Sequence, residues 1–271
     1  MTQLPADDIP RLAALGRDLL TTTAAQRRWA CARPVLGVLA YAAAAHLGWW
    51  WATPVIVFFI FVAVVTVTHD VVHGSLGLGP RQTDWALFCF GAVLLESGHA
   101  YRTTHLQHHR VFPGPDDPEG DPARLPLWRA ILNGPWFLPR LWWWAYCRQH
   151  ARPAERRWLL AEAAWALAVP LAGVLLWPWT PAVLNYVALV LVGSWVYPLF
   201  TVHLPHYHYG DHPLTQTSTL RGRIVPALFL ELTYHLEHHL YPGVPSHGLK
   251  ELSRRLDPFF RQAGVRPRWV P

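Results

Sequence analysis

Eight histidines stand in three short clusters, and side chains of this type at this spacing can bind metal ions. The clusters are His69 and His73 in HDVVH, His105, His108 and His109 in HLQHH, and His235, His238 and His239 in HLEHH. On an α-helix, residues at positions i, i+3 and i+4 lie on one face, so each cluster can direct its imidazoles towards one point. Eight imidazoles exceed the roughly four ligands of a closed zinc site. The pattern therefore predicts a centre with two metal ions.

Imidazole is a ligand of iron, copper, nickel and zinc alike, so the ligand type does not select the metal. Zinc metalloproteases carry a glutamate beside the first histidine as general base, whereas this chain has Asp70 there. A non-enzymatic metal or haem carrier is a further alternative, but its histidines are expected inside membrane spans, where only His46 would lie. These differences argue against a zinc hydrolase and favour an enzyme over a metal or haem carrier.

The composition predicts the setting of this centre. Of 271 residues, 52% are hydrophobic and only 15% are charged, which is unlike an average soluble domain. Four stretches with almost no charge approach the roughly 20 residues of a spanning helix. They are residues 34–51, 53–68, 158–178 and 181–202. We expect an all-α integral membrane protein, formed as a single domain over residues 1–271, with about four transmembrane helices.

The distribution of arginine predicts the topology. The breaks at residues 52–54 and 178–181 carry no charge, which indicates two hairpins. Arginines crowd the opposite flanks: Arg17, Arg27, Arg28, Arg33, Arg148, Arg152, Arg156, Arg157, Arg254, Arg255, Arg261, Arg266 and Arg268. By the positive-inside rule, both hairpins then enter from the cytoplasm and return to it.

This topology places both termini and all three histidine clusters on the cytoplasmic side. The clusters fall in residues 69–157 and 203–271, which we expect to form a helical cap carrying the dimetal site. A net charge of +6 fits a face resting on anionic lipid. No nucleic-acid-binding motif occurs, so nucleic acid is not an expected partner.

Three further segments favour helices that do not cross the membrane. Residues 85–95 are short for a span and predict a buried or re-entrant helix, with a fifth span as the alternative. Residues 128–146 mix arginine with tryptophan, which is typical of an interfacial helix or of a helix packed on the catalytic cap. Residues 246–262 are amphipathic and open with Ser246 as a candidate helix cap.

From about His69 to Phe260, the chain resembles the membrane fatty acid desaturase superfamily, which also contains carotenoid hydroxylases and ketolases. Its members carry three histidine boxes of the forms HxxxH, HxxHH and HxxHH, which the three clusters match. The resemblance implies that the eight histidines hold a non-haem di-iron centre, which uses O2 and two electrons to attack an unactivated C–H bond. It also implies a separate electron donor, a ferredoxin or a cytochrome with its reductase, because no donor module is fused to the chain.

The resemblance implies a ninth histidine ligand about thirty residues before the third box. His206 stands at that place in HLPH, and His203 is the competing candidate; we favour His206. Acyl-CoA desaturases have an asparagine four residues earlier that holds a water ligand, whereas this chain has Val202. The sequence therefore does not identify the group that fills the last coordination position.

Acidic side chains near the boxes could orient the ligating imidazoles. Asp70 and Glu237 lie inside the first and third boxes and are the candidates for this role. Other acids follow or precede the second box: Glu96, Asp116, Asp117, Glu119 and Asp121. The DDPEGDP segment that contains four of them is rich in proline and glycine, which favours a solvated turn.

A site at the membrane surface is expected to act on a long lipid chain. The sequence around the third box, YHLEHHLYPGVPSHGLKEL from Tyr234 to Leu252, resembles desaturases and favours a fatty acyl chain as substrate. HLQHHRVFPGPDDPEGDPA, from His105 to Ala123, also resembles carotenoid hydroxylases and ketolases. We therefore expect an acyl desaturase, with a carotenoid oxygenase as the alternative.

Overall fold

The computed structural model describes residues 9–148 and 153–271, so Arg152 lies outside the described residues. The chain is mostly helical, as expected. Its helices are α1 (Leu12–Leu15), α2 (Ala24–His46), α3 (Thr53–Val72), α4 (Pro80–Val93), α5 (Gly98–Val111), α6 (Asp121–Arg124), α7 (Leu127–Arg148), α8 (Pro153–Leu176), α9 (Ala182–Pro198), α10 (Ile224–Leu228), α11 (His235–Leu240) and α12 (Leu249–Gln262). Two short strands, β1 (Leu220–Arg221) and β2 (Arg268–Trp269), pair in parallel with Leu220 opposite Arg268.

Three helical stretches of the described chain are long and apolar enough to cross a membrane: Trp50–Val72, Ala154–Leu176 and Ala182–His203. They correspond to three of the four expected spans. The first of them extends further than expected, because α3 continues to Val72 and includes His69 in its last turn. The first histidine box therefore begins inside this helix rather than after it.

The span expected at residues 34–51 is not among these three. Helix α2 covers Ala24–His46 and carries Arg27, Arg28 and Arg33 in its first half. The uncharged part that remains is shorter than the roughly 20 residues of a spanning helix. The fourth span, the two hairpins and the cytoplasmic cap remain predictions.

Helix α3 forms the centre of the main hydrophobic core. It packs against α2 and α4, and also contacts α9. Ile60 and Val67 of α3 and Leu87 of α4 are completely buried, and Val190 of α9 joins the same core. Since residues 85–95 fall largely within α4, the expected short helix is present there, packed on α3 and α8.

Helix α5 begins and ends at sequence signals. The Ser97 hydroxyl accepts a hydrogen bond from the Ala100 backbone N–H at 2.9 Å, which satisfies one of the free donors at the helix start. The helix ends at Val111, and Pro113 follows shortly. Because the residue before a proline avoids helical geometry, the chain turns away from the helix here.

Helix α7 covers the segment for which an interfacial or packed helix was expected. Phe137 and Leu141 are buried, while Leu132, Trp136 and Trp143 are more than 60% exposed. The helix packs closely on α9, because a Cβ atom at Gly134 would overlap the backbone carbonyl oxygen of Trp195. The contact of α7 with α9 therefore requires glycine at this position.

We expect Gly134→Ala to destabilise the protein by about 1–3 kcal/mol, the usual cost of overpacking a well-packed contact. Thermal unfolding of the purified protein in detergent measures this as a lower Tm. Gly243→Ala is the matched control, since the atom nearest to an added Cβ there is Leu20 Cδ2 at 3.6 Å, an ordinary contact. Equal Tm values for both variants would contradict a close α7–α9 contact.

Candidate metal centre

The structure brings all eight box histidines together with His206. They come from four segments: the end of α3, helix α5, the turn after α9 and helix α11. His69, His73, His105 and His238 have ring nitrogens within 4.8 Å of one another, and so do His108, His206 and His239. Two separate groups of donors are thus formed.

His109 and His235 complete the two groups. The Nε2 atom of His109 lies 3.2 Å from His105 Nε2 and 2.8 Å from His238 Nε2. The Nε2 atom of His235 lies 3.1 Å from His206 Nε2 and 3.2 Å from His239 Nε2. The structure therefore assembles one group of five imidazoles and one of four.

These separations match the geometry of metal ligands. Adjacent nitrogens bound to one ion at about 2.0–2.1 Å lie about 2.8–3.4 Å apart, the range spanned by the distances around His109 and His235. In the same cluster, His73 Nε2 is buried and has no hydrogen-bond partner among the described residues. The donor set fits two transition-metal ions bound through imidazole.

Hydrogen bonds to the opposite ring nitrogens fix which nitrogen is free. His206 Nδ1 donates to the backbone carbonyl of Gln216 at 2.8 Å, and a carbonyl oxygen can only accept. The proton of His206 is therefore on Nδ1, and Nε2 carries a lone pair directed into the cluster. The Nε2 atom of His235 lies 3.1 Å from it, so the two nitrogens could bind one cation together.

Burial lowers the pKa of seven of the nine imidazoles. Burial, with His69 nearby, lowers the pKa of His73 to about 2, and burial, with His108 nearby, lowers the pKa of His206 to about 3. Burial also lowers the pKa of five further imidazoles of the cluster well below the ordinary histidine value. They are His105, His109, His235, His238 and His239. Neutral imidazole is the form that binds metal, so these ligands need not release a proton at neutral pH.

Two carboxylates of the DDPEGDP segment orient histidines of the second box. His108 Nδ1 lies 2.8 Å from Asp117 Oδ2, and His105 Nδ1 lies 3.1 Å from Glu119 Oε2. Asp117 and Glu119 are only 3% and 4% exposed. The interpretation of this segment as a solvated turn is therefore wrong for these two residues. The sequence signal for this orienting role was the presence of acids shortly after the second box, beyond the turn at Pro113.

Asp70 and Glu237, the acids expected to orient imidazoles, bind other groups. Asp70 Oδ1 lies 3.8 Å from His69 Nδ1, too far for a hydrogen bond. Its carboxylate accepts hydrogen bonds from the Ser246 backbone N–H at 2.9 Å and hydroxyl at 2.7 Å. Ser246 therefore does not cap α12, which has Gly248 at its N-cap and no side-chain cap. Glu237 accepts from the Ser253 hydroxyl and from Arg221, and no hydrogen bond joins it to an imidazole in the described chain.

The structure separates the two candidates for the ninth ligand. His206 lies within the second group of imidazoles. His203 is buried elsewhere, with its Nδ1 at 2.8 Å from the backbone carbonyl of Pro122. Val202, where acyl-CoA desaturases have asparagine, packs in a small apolar cluster with Phe137 and Leu141 and offers no polar atom to a water ligand. The geometry thus favours His206.

A cavity of about 420 Å³ lies beside the imidazole cluster, between α3, α5, α7 and α9. Its wall is mostly apolar and includes Val64, Leu94, Leu138 and Leu191. Tyr101 of the wall stacks on His105, with ring centroids 4.7 Å apart. A cavity of this size and polarity suits a small apolar ligand or a segment of a long one.

Comparisons with known proteins agree with this geometry. The family model described as "Fatty acid desaturase" matches residues 48–271. The chain is 26% identical over 228 residues to a protein named "Beta-carotene ketolase" from Paracoccus sp. (strain N81106 / MBIC 01143), with 80% of this chain and 78% of the relative covered. It is 25% identical over 239 residues to "Dihydrorhizobitoxine desaturase" from Bradyrhizobium elkanii, with 72% and 65% covered.

A third relative is considerably longer than this chain. The "Beta-carotene 4-ketolase" of Protosiphon botryoides is 22% identical over 227 residues, with 76% of this chain and 52% of the relative covered. The chain thus spans about half the length of that relative and just under two thirds of the Bradyrhizobium protein. All three of these relatives are named for oxidative reactions, two as ketolases and one as a desaturase.

We expect the purified protein to hold two transition-metal ions per chain. The variant His238→Ala should lose most of this metal, because His238 belongs to the first group of donors and its Nε2 atom lies 2.8 Å from that of His109. Inductively coupled plasma mass spectrometry measures the metal content. His247→Ala is the matched control, since His247 is exposed and follows the same box without belonging to either group. Full metal content in His238→Ala would contradict the assignment.

We expect Asp117→Ala to weaken metal binding by about 10- to 100-fold, the usual effect of removing a carboxylate that orients a ligating histidine. Competition with a chelator of known affinity measures the change. Asp116→Ala is the control, because Asp116 is exposed and adjacent in sequence. If both variants bind metal equally tightly, Asp117 does not orient His108 for the metal.

Proposed function

Because this chain belongs to the fatty acid desaturase family, we propose that it is a membrane di-iron oxidoreductase that uses O2 and two electrons to desaturate a fatty acyl chain of a lipid. The observation that carries this proposal is the convergence of nine imidazoles into two donor groups beside an apolar cavity. The three helices that could span a membrane support a substrate that resides in the lipid bilayer.

The proposed ligands are the nine imidazoles of the cluster: His69, His73, His105, His109 and His238 for one iron, and His108, His206, His235 and His239 for the other. Bound there, two iron ions would supply the reduction of O2 to an oxidant able to remove hydrogen from an unactivated C–H bond. Asp117 and Glu119 hold the imidazoles of the second box in position through their Nδ1 atoms.

The cavity positions the chain to be oxidised. Its apolar wall would bind a hydrocarbon segment and exclude water from it, which favours burial of an acyl chain by about 25 cal/mol per Å² of apolar surface. Thr68 of the wall directly precedes the ligand His69, and Tyr101 contacts the ligand His105. A chain in the cavity would therefore pass close to His69 and His105, two of the five imidazoles of the first donor group.

A separate protein is proposed to supply the two electrons, either a ferredoxin or a cytochrome with its reductase. The three cysteines of the chain are free and far apart in sequence, at Cys31, Cys89 and Cys147, so they do not form the cysteine set of an iron–sulfur cluster. We further propose that both termini and the metal centre face the cytoplasm. The arginine bias of the flanking segments supports this orientation.

Carotenoid oxidation is the second candidate. Two of the relatives above carry the name of a β-carotene ketolase, and the apolar cavity would also accept one end of a carotenoid. Desaturation and hydroxylation both begin with removal of a hydrogen from carbon, so one centre could serve either reaction.

Expression in a host that makes both membrane lipids and β-carotene tests the two candidates together. We expect new double bonds in acyl chains, detected by mass spectrometry of the lipids, and none in cells that express His108→Ala. Oxygenated carotenoid with unchanged acyl chains would replace the acyl proposal with the carotenoid one. The exposed residue His247 provides the control variant, since His247→Ala should retain the product of the unmodified protein.

A further inference from the structure

One polar pair interrupts the apolar wall of the cavity. Glu96 lies in the turn between α4 and α5, and its Oε1 atom accepts a hydrogen bond from the Ser194 hydroxyl of α9 at 2.8 Å. Both side chains line the cavity, and neither is fully buried. A carboxyl group in an apolar cavity is costly unless its oxygens are paired, so its presence requires an explanation.

The backbone around Glu96 is built to hold it there. Leu95 has φ 57°, in the left-handed region that leucine rarely adopts. A Cβ atom at Gly91 would lie 2.7 Å from the backbone carbonyl oxygen of Glu96, and one at Gly98 would overlap that of Leu87. Two glycines and one strained residue thus allow the turn to pack tightly against α4. Such strain is commonly retained where a side chain has a function.

One oxygen of this carboxyl group is free to bind a ligand. Ser194 occupies Oε1, and no described residue donates to Oε2. Burial raises the pKa of Glu96 to about 7, and the hydrogen bond from Ser194 opposes this rise. No cation of the described residues balances the carboxyl group. With a pKa of about 7, it is present at neutral pH in both protonation states, of which the ionised form accepts and the neutral form donates a hydrogen bond.

A second unpaired polar atom faces the same cavity closer to the metal centre. The Thr68 hydroxyl is buried and has no hydrogen-bond partner among the described residues. Along α9, Ser194 precedes Tyr197 by three residues, about one helical turn. Tyr197 and Tyr101 line the same cavity, and Tyr101 stacks on His105. Glu96, held by Ser194, therefore lies on the same cavity wall as the tyrosine that contacts the imidazole of His105.

We propose that Glu96, held by Ser194, binds a hydroxyl group carried by the apolar substrate, so that this enzyme prefers a chain bearing an alcohol near the segment it oxidises. The inference rests on the proposed function, in which the cavity holds that chain. A hydroxyl group fits because it can donate to the ionised carboxylate or accept from the neutral acid. Both a hydroxylated acyl chain and a hydroxylated carotenoid carry this group.

Ligand binding to the purified protein in detergent, followed by quenching of tryptophan fluorescence, tests the inference without turnover. The probes are two pairs that differ in hydroxyl groups: methyl oleate with methyl ricinoleate, and β-carotene with zeaxanthin. We expect the hydroxylated member of one pair to bind about 10- to 100-fold more tightly, the usual effect of a hydrogen bond to a charged group. The pair that shows the preference identifies the class of chain.

Variants of Glu96 separate recognition from a structural role. Glu96→Leu should abolish the preference while leaving the affinity for the hydrocarbon member of the pair unchanged, and an unchanged Tm would show that the fold is retained. Glu96→Gln should keep part of the preference, because an amide can still accept from Ser194 and donate to a hydroxyl group.

Three results would overturn the inference: no preference in either pair, a preference that survives Glu96→Leu, or no binding of any probe. Oxidation of a lipid or carotenoid is measured separately, by product analysis in the expression host. A protein that oxidises a chain but shows no hydroxyl preference would therefore overturn this inference alone.

Discussion

The convergence of nine imidazoles is the constraint on which the rest of the structure depends. Neighbouring Nε2 atoms in the cluster lie as close as 2.8 Å, and burial lowers the pKa of seven of the nine imidazoles. The segments that carry these imidazoles are held in place by hydrogen bonds from groups outside the cluster.

Those outside groups act on three of the four segments that carry the imidazoles. Asp117 and Glu119 bind the outer nitrogens of the second box, and the Gln216 carbonyl binds that of His206. Asp70 binds Ser246, which joins the end of α3 to the segment before α12. These bonds hold three of the four segments that carry the imidazoles, and the fourth, α11, packs against α12.

The sequence predicted the parts of this design that depend on local pattern. The helical spacing within each box was sufficient to predict that its imidazoles share a face. Three of the four apolar stretches correspond to the three described helices that are long and apolar enough to span a membrane. Ser246 shows the limit of local pattern: its surroundings favour a helix cap, but a carboxylate 176 residues away binds it instead. The burial of Asp117 and Glu119 was not predicted for a related reason, because it depends on how the turn after α5 docks and not on the composition of the turn.

The order of the donor residues along the chain also determines when the imidazole cluster can be completed during biosynthesis. The two residues are separated by most of the chain, and the last histidine ligands, on α11, lie only a few residues before Ser246. Until α11 and the segment after it have been synthesised, Asp70 lacks its partner Ser246 and His69 lacks its neighbour His238. The cluster of nine imidazoles can therefore be completed only after this segment has folded against α3.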